Sequence, residues 1–253
     1  MKTAFVITSV IEANNEFPLT YSSTRTAFSA GERFRQTIFT IACMDAASTR
    51  DTTIFLLDAS SNAEPYRASL SYQKNLRFIS VLEEFPDLHK VVREHPNKSH
   101  CEALMLLKFF EKYKLQLQEY DYIFKMSGRY FTDGSFDLKI CNENNLDKIF
   151  FKKAMHYDWV DGYHPPMLDL RTDQQDNTIR MYSSVLYGFG SRYIDTFLDI
   201  YHFTKTITYH PNGSIYYMEQ MLYFLTRGHA NNIVETDWLV YGWDGTNGNF
   251  VRY

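Results

Sequence analysis

The residues best equipped for chemistry in this 253-residue chain fall where strands or helices should end. Lys125, Ser127 and Arg129 alternate through Lys125-Met126-Ser127-Gly128-Arg129, so an extended backbone sets all three on one face, and Gly128 leaves room for a close backbone approach. A lysine and an arginine on one edge can hold an oxyanion, and the planar guanidinium can grip two oxygens at once. The same cations can instead pair with carboxylates such as Asp121 or Asp133. Glu219 flanks an apolar stripe of Ile215, Met218, Leu222 and Leu225 at helical spacing. Partial burial there would raise its pKa toward a value suited to taking a proton from a hydroxyl; the bland alternative is a glutamate that snorkels to solvent or pairs with Arg227.

Other groups are polar without a sharp pattern. Thr8 and Ser9 close the first apolar run and can hydrogen-bond a ligand or simply end a strand. Arg25, Arg33 and Arg35 surround the first helix, and Arg33 is the strongest candidate of the three for contact with an anion, against the ordinary role of a solvated helix face. The segment from His156 to His164 packs two His, two Asp and three aromatics into nine residues. Within it His156, Asp158 and Trp159 could stack a sugar ring and bond its hydroxyls, while the spacing fits no standard metal-ligand pattern. The tail Trp243 to Asn249 carries two glycines, suiting either a lid or a plain terminal loop.

These groups need elements to hold them. Thr3 to Ile11 is a continuous apolar strand of the kind buried on both faces of a parallel sheet. A polar loop follows, then Ser29 and Glu32 form a capping box for a helix carrying Phe34, Ile38, Ile41 and Ala42. Thr53 to Leu57 and Leu76 to Leu82 predict the second and third strands, and Ser99 with Glu102 reads as another capping box, opening a helix with Ala103, Leu106, Leu107 and Phe110 on its apolar face. Tyr120 to Met126 is the fourth strand. Further strands are expected at Ile149 to Lys152 and Met181 to Phe189, the latter followed by two helices, the second spanning Ser214 to Leu225. Alternating strands and helices predict one α/β domain with a mostly parallel central sheet, flanked by helices and binding ligands at the strands' C-terminal ends.

Composition narrows the function classes. A net charge of -4 excludes the broad basic surface that nucleic acid or anionic lipid would need, and no apolar run reaches the length of a membrane span. Three scattered cysteines, Cys43, Cys101 and Cys141, fit neither a zinc site nor an even disulfide framework, so reduced thiols and a cytoplasmic location are expected. Aromatic residues reach 17%, with 19 tyrosines, a share that suits sugar-binding clefts as well as cores.

Over residues 3 to 140 the ordered landmarks resemble the nucleotide-binding half of GT-A glycosyltransferases, a Rossmann-related fold, particularly the family-2-like group. Gln36-Thr37 in the first helix, Phe55-Leu56-Leu57-Asp58-Ala59-Ser60-Ser61 at the second strand's end and Asn97-Lys98-Ser99 before the later helix carry the likeness. It implies a nucleotide-sugar donor bound by Thr8, Ser9, Arg33, Asp58 and Lys98, with Asp58 meeting the nucleobase. The family's fourth strand ends in a metal-binding D-x-D motif; this chain has Ser127-Gly128-Arg129 there and no D-x-D anywhere, so a magnesium or manganese cofactor lacks its usual ligands.

Fixed cations can do the metal's work, since its task is to neutralise the diphosphate leaving group. Lys125, Ser127, Gly128 and Arg129 would then take that role. Inverting members place a carboxylate base at the start of a late helix, and Glu219 looks most like it. The resemblance thus implies sugar transfer to the hydroxyl of a glycan or other acceptor, with residues 1–140 binding donor and 141–253 acceptor. If Glu219 is not a base, a retaining course stays open. Two other classes compete. A sugar-phosphate nucleotidyltransferase shares the layered sheet but wants a glycine-rich basic loop that Ile11-Glu12-Ala13-Asn14-Asn15 does not supply. A non-catalytic carbohydrate-binding protein would keep the fold and bind sugar without nucleotide.

Overall fold

The computed structural model describes residues 1–158, 178–209 and 216–253, and for Tyr157, Asp158 and Thr178 the backbone alone. Its centre is β1 (Thr3–Ser9), whose unbroken apolar run is buried along its whole length. Alternation divides that run between two layers: Ala4 and Val6 join the core on one face of the sheet, Phe5 and Ile7 the core on the other.

β2 (Thr52–Asp58) lies parallel to β1 on one side, followed by β3 (Leu76–Ser80), and β4 (Tyr122–Ser127) lies parallel to β1 on the other. Beyond β4 the sheet turns mixed. β9 (Leu186–Gly190) runs antiparallel to both β4 and β6 (Ile149–Lys152), and β10 (Ile233–Thr236) completes the order β10-β6-β9-β4-β1-β2-β3. The expected α/β sheet is therefore present: seven strands, mostly parallel, flanked by helices.

Helix α1 (Ala30–Ala46) begins at the predicted capping box: Ser29 Oγ accepts from the Glu32 amide, and the Glu32 carboxylate accepts from the Ser29 amide. Short helices α2 (Glu64–Ser69), α3 (Val81–Glu84) and α4 (Pro86–Glu94) fill the stretch between β2 and α5 (Lys98–Leu117). α2 and α3 are too short to show a 3.6-residue stripe, whereas α4, nine residues long and amphipathic, carries one that the strand-and-helix reading passes over. The second predicted capping box is replaced. Asn97, one residue before α5, accepts from the Ser99 and His100 amides, which frees Ser99 and Glu102 for other partners.

α6 (Ile194–Tyr209) and α7 (Met218–Thr226) pack with α5 on one face. The opposite face carries α1 and a small antiparallel sheet made of β5 (Tyr130–Thr132), β11 (Val240–Trp243) and β12 (Phe250–Arg252). β7 (Met155–Asp158) and β8 (Thr178–Met181) form a separate two-stranded ladder, so the predicted long strand from Met181 is really the end of β8 followed by β9.

The tail is built into the fold rather than hanging as a lid. Asp244 N donates to Asn249 O, Gly248 N to Asp244 O, and Ala27 N to Gly245 O, while Gly248 takes the left-handed φ of 77° that a side chain would resist. Among the described residues no helix is long and apolar enough to cross a membrane.

Candidate active site

Parallel pairing aligns the ends of three strands. Thr8 of β1 lies opposite Ser127 of β4, and Ser9 opposite Asp58 of β2, so the predicted strand-end residues share one edge of the sheet. Gly128 fits there by close approach: its amide donates to Thr8 O at 2.9 Å, and an added Cβ would lie 3.0 Å from that oxygen and 3.2 Å from Ser9 Cβ. The glycine serves packing between β4 and β1. Buried as it is and not part of the cleft wall, it does not offer a phosphate the backbone approach expected of it.

Asp58 likewise departs from expectation. It is wholly buried; one carboxylate oxygen accepts from Ile11 N at 3.0 Å and the other from Ser60 N at 2.9 Å. No part of it is left to meet a nucleobase, because it ties the loop after β1 to the loop after β2. Asp58→Ala should therefore lower stability by about 1–3 kcal/mol for each amide it strands. Urea denaturation reads this directly, and an unchanged midpoint would mean that the two amides find other partners.

A cleft opens beside these strand ends, walled by Thr8, Ser9 and Ser127 on the sheet side and by Arg33, Lys98 and Arg129 among its charged groups. Arg33 comes from α1, where its Nε donates to Val10 O at 2.6 Å and one terminal nitrogen to Thr26 Oγ1 at 3.2 Å; burial, then neighbouring Arg129, pushes its pKa down to about 9. Lys98 opens α5. Burial first, then Arg129 and Arg33, pushes its amine down to about 7, with Asp244 and its negative charge pulling the other way. Arg129 is held from behind: Nε donates to Trp243 O at 3.4 Å, and a Cβ on Gly245 would stand 3.0 Å from Cζ, so a larger residue there would crowd the guanidinium. Arg25 also reaches this wall, but it is spent on structure, donating to Phe17 O and His95 O.

Lys125 is placed elsewhere. Its side chain is completely buried, and Nζ contacts Glu102 Oε1 at 2.5 Å, Ser127 Oγ at 2.8 Å and Ser184 O at 2.5 Å. An ammonium has three protons to give, and three acceptors take them. The expected role at a diphosphate is thereby corrected, and the partner is neither Asp121 nor Asp133. Glu102 escaped notice because its spacing from Ser99 mimics a capping box. It lines the cleft, accepts from Thr8 Oγ1 at 2.7 Å and Ser127 Oγ at 3.4 Å, and joins both strand ends to α5.

Glu219 stands in the first turn of α7, which starts at Met218 rather than near Ser214. That turn is fixed from two sides: Met218 N donates to Ser99 Oγ at 3.1 Å, and Tyr182 N donates to Glu219 O at 3.1 Å. Ser184 Oγ donates to Glu219 Oε1 at 2.5 Å. Burial pushes the Glu219 pKa up, and Ser184 opposes the shift. Tyr21 belongs to the same neighbourhood: burial of its hydroxyl end, then Tyr217 and Asp244, raises the phenol to about 12, and Arg129 and Glu219 also act on it. Arg129 and Glu219 thus both lie within electrostatic reach of Tyr21.

Of the acceptor candidates, His156 is exposed on β7 opposite Arg180 of β8. The side chain of Asp158 and all of Trp159 lie outside the described residues.

A divalent cation fits this cleft poorly. At the D-x-D place stand a hydroxyl, a glycine and a guanidinium; Glu102, the carboxylate that lines the cleft, is ion-paired to Lys125, and Asp244 near Lys98 accepts from Thr246 and Asn247. A guanidinium repels a dication and donates where a ligand must accept. Among the described residues no group of three or more His, Cys, Asp or Glu could hold a metal.

No protein-family model and no curated protein sequence matches the chain. Its fold does match solved structures, among them core-mannan synthase A (CmsA/Ktr4) from Aspergillus fumigatus in its Mn/GDP form. That likeness has a TM-score of 0.54 at 10% identity and covers 95% of this chain and 74% of the other. The domain is a match to a GT-A glycosyltransferase in fold, and the matched structure gives no support to the family-2-like group in particular.

Proposed function

We propose that the chain transfers a sugar from a nucleoside-diphosphate donor to an acceptor hydroxyl without a divalent metal. The observation that carries this reading is the convergence of Arg33, Lys98 and Arg129 at the C-terminal edge of the sheet, on a cleft where burial and then the charge of Arg129 depress the pKa of Arg33 and Lys98. Mutually repelling, partly desolvated cations are stabilised by an anion of matching charge, and the strand ends are where such sheets bind ligands. A diphosphate supplies that charge. As the donor's bond to diphosphate breaks, negative charge grows on the leaving oxygens, and Arg129 and Lys98 are preorganised to meet it. The GDP of the structural neighbour makes guanosine-diphosphate sugars the first donors to try.

Calorimetry with GDP and UDP tests the grip. Binding should persist in excess EDTA, and Arg129→Ala should weaken it roughly tenfold to a hundredfold, as expected for loss of charge-assisted bonds of about 1.5–3 kcal/mol each. Binding that vanishes on chelation and returns with manganese would overturn the metal-independent reading. Residues outside the described set, such as Asp161, would then be the ligands to seek.

Lys98 adds a pH dependence. Bound diphosphate raises the amine's pKa above its free value of about 7, so affinity is greatest below pH 7 and falls as pH rises from there toward the bound value. Lys98→Arg should flatten that fall. A wild-type affinity constant from pH 6 to 9 would remove Lys98 from the anion's surroundings.

A further inference from the structure

The small sheet opposite α5 has an outer face made almost wholly of rings. In β11, Tyr241 and Trp243 point away from the core; in β12, Phe250 and Arg252 pair with Trp243 and Tyr241 respectively, and Phe131 of β5 pairs with Tyr241. Phe131 sits at the centre, with ring centroids 5.9 Å from Tyr241, 5.7 Å from Trp243, 6.2 Å from Phe250 and 6.5 Å from Phe39 of α1. Phe39 and Phe250 are each 57% exposed. With the half-buried rings of Phe131, Tyr241 and Trp243 between them, they form one contiguous aromatic patch instead of scattered exposed hydrophobics.

Two features of this surface say what covers them. First, the patch is continuous with the cleft: the carbonyl of Trp243, at its edge, accepts from Arg129 Nε, and the next two residues are Asp244 and Gly245 at the cleft's rim. Second, polar groups of both signs are interleaved with the rings. Arg252 lies over the Tyr241 ring, and the Tyr241 hydroxyl donates to Asp133. Rigid aromatic faces mixed with donors and acceptors match a chain of pyranose rings, whose C–H faces are apolar and whose rims are hydroxyl.

We infer that the Phe39, Phe131, Tyr241, Trp243 and Phe250 face is a binding site for an extended oligosaccharide, the part of a glycan acceptor that trails away from the reacting end. The inference rests on the proposed transferase reading, since that reading places the reacting end at the adjoining cleft. The site holds acceptors by length, not by the identity of the terminal sugar.

The test uses the whole chain and a panel of manno-, gluco-, galacto- and chito-oligosaccharides, each from mono- to hexasaccharide, followed by calorimetry and tryptophan fluorescence. Affinity for at least one series should climb with length and then level off. F39S/F250S, which alters exposed side chains, should flatten that climb and weaken the longest ligand by roughly tenfold, about the worth of one good ring contact. F250Y keeps a ring face and should behave as wild type, and thermal melts confirm that all variants are folded. GDP and UDP binding, measured on the same samples, should be unchanged; its absence in wild type would sink the transferase reading without altering the length dependence. No length dependence in any series, or one untouched by F39S/F250S, overturns the proposal. So does adsorption to phosphatidylserine vesicles, or a dimer seen by ultracentrifugation, if F39S/F250S abolishes it and no oligosaccharide competes: the face would then belong to lipid or to a second copy.

Discussion

Lys125→Met should destabilise the fold more than any single change to the open cleft, by about 3–5 kcal/mol if Glu102 were wholly shut from water. The Glu102 side chain keeps 22% exposure, so hydration will soften the loss toward the lower end of that range. The cost arises because Lys125 is the hub of a buried network. Its ammonium meets Glu102, Ser127 and the Ser184 carbonyl, while Ser184 in turn holds Glu219. Removing the cation leaves Glu102 without its counter-charge and two acceptors without a donor. Lys125→Met with Glu102→Gln should therefore regain much of what Lys125→Met alone loses, a coupling that a double-mutant cycle in urea would measure. Additive losses would show that the ion pair is incidental. Arg129→Ala makes the useful contrast: its head group faces the cleft, so it should cost affinity while barely moving the midpoint.

The same lysine shows how far the sequence could be read. Alternation along β4 correctly aligned Lys125 with Ser127, but side-chain direction is not destination, and the acceptors that claim Lys125 come from α5 and the β8–β9 connection, 23 and 59 residues away in sequence. Asp58 was misjudged for a related reason. A polar cluster at a strand's end looks the same in sequence whether its carboxylate faces a ligand or bridges two loops, and only the position of Ile11 N and Ser60 N distinguishes them. What was legible was periodic or local: the two-faced burial of β1, the Ser29 and Glu32 box, the strand ends bearing Thr8 and Ser127. Short helices and three-residue strands carry no such signature. Neither does Glu102, whose apparent capping role hid a carboxylate turned toward the sheet. The fold match supports the GT-A layers and gives no support to the family-2-like group in particular, since ordered landmarks report the layers of a fold better than the lineage that uses them.

Glu219→Gln should lower turnover by on the order of a hundredfold or more while leaving nucleoside-diphosphate affinity intact. The argument starts from how firmly the carboxylate is held. The first turn of α7 is pinned to α5 through Ser99 and to the β8–β9 connection through Tyr182, and Ser184 fixes one carboxylate oxygen. The amide variant keeps the shape and can still accept from Ser184, so a fall in turnover reports the lost proton acceptor and not a collapsed site. In the proposed transfer the acceptor oxygen would bond to the anomeric carbon, its proton would pass to Glu219, and the bond to the diphosphate would break with its electron pair retained by the leaving group. Burial raises the Glu219 pKa, so turnover should decline on acidification at a higher pH than an ordinary carboxylate would give, the protonated form being unable to serve as base. Glu219→Gln should erase that acidic limb from what rate remains. Product stereochemistry supplies an independent check, because a single displacement assisted by one base inverts the anomeric centre. Proton NMR of the first-formed product distinguishes the two anomers, and retention of configuration, or a folded Glu219→Gln enzyme with near-normal turnover, would take the base role away from this residue.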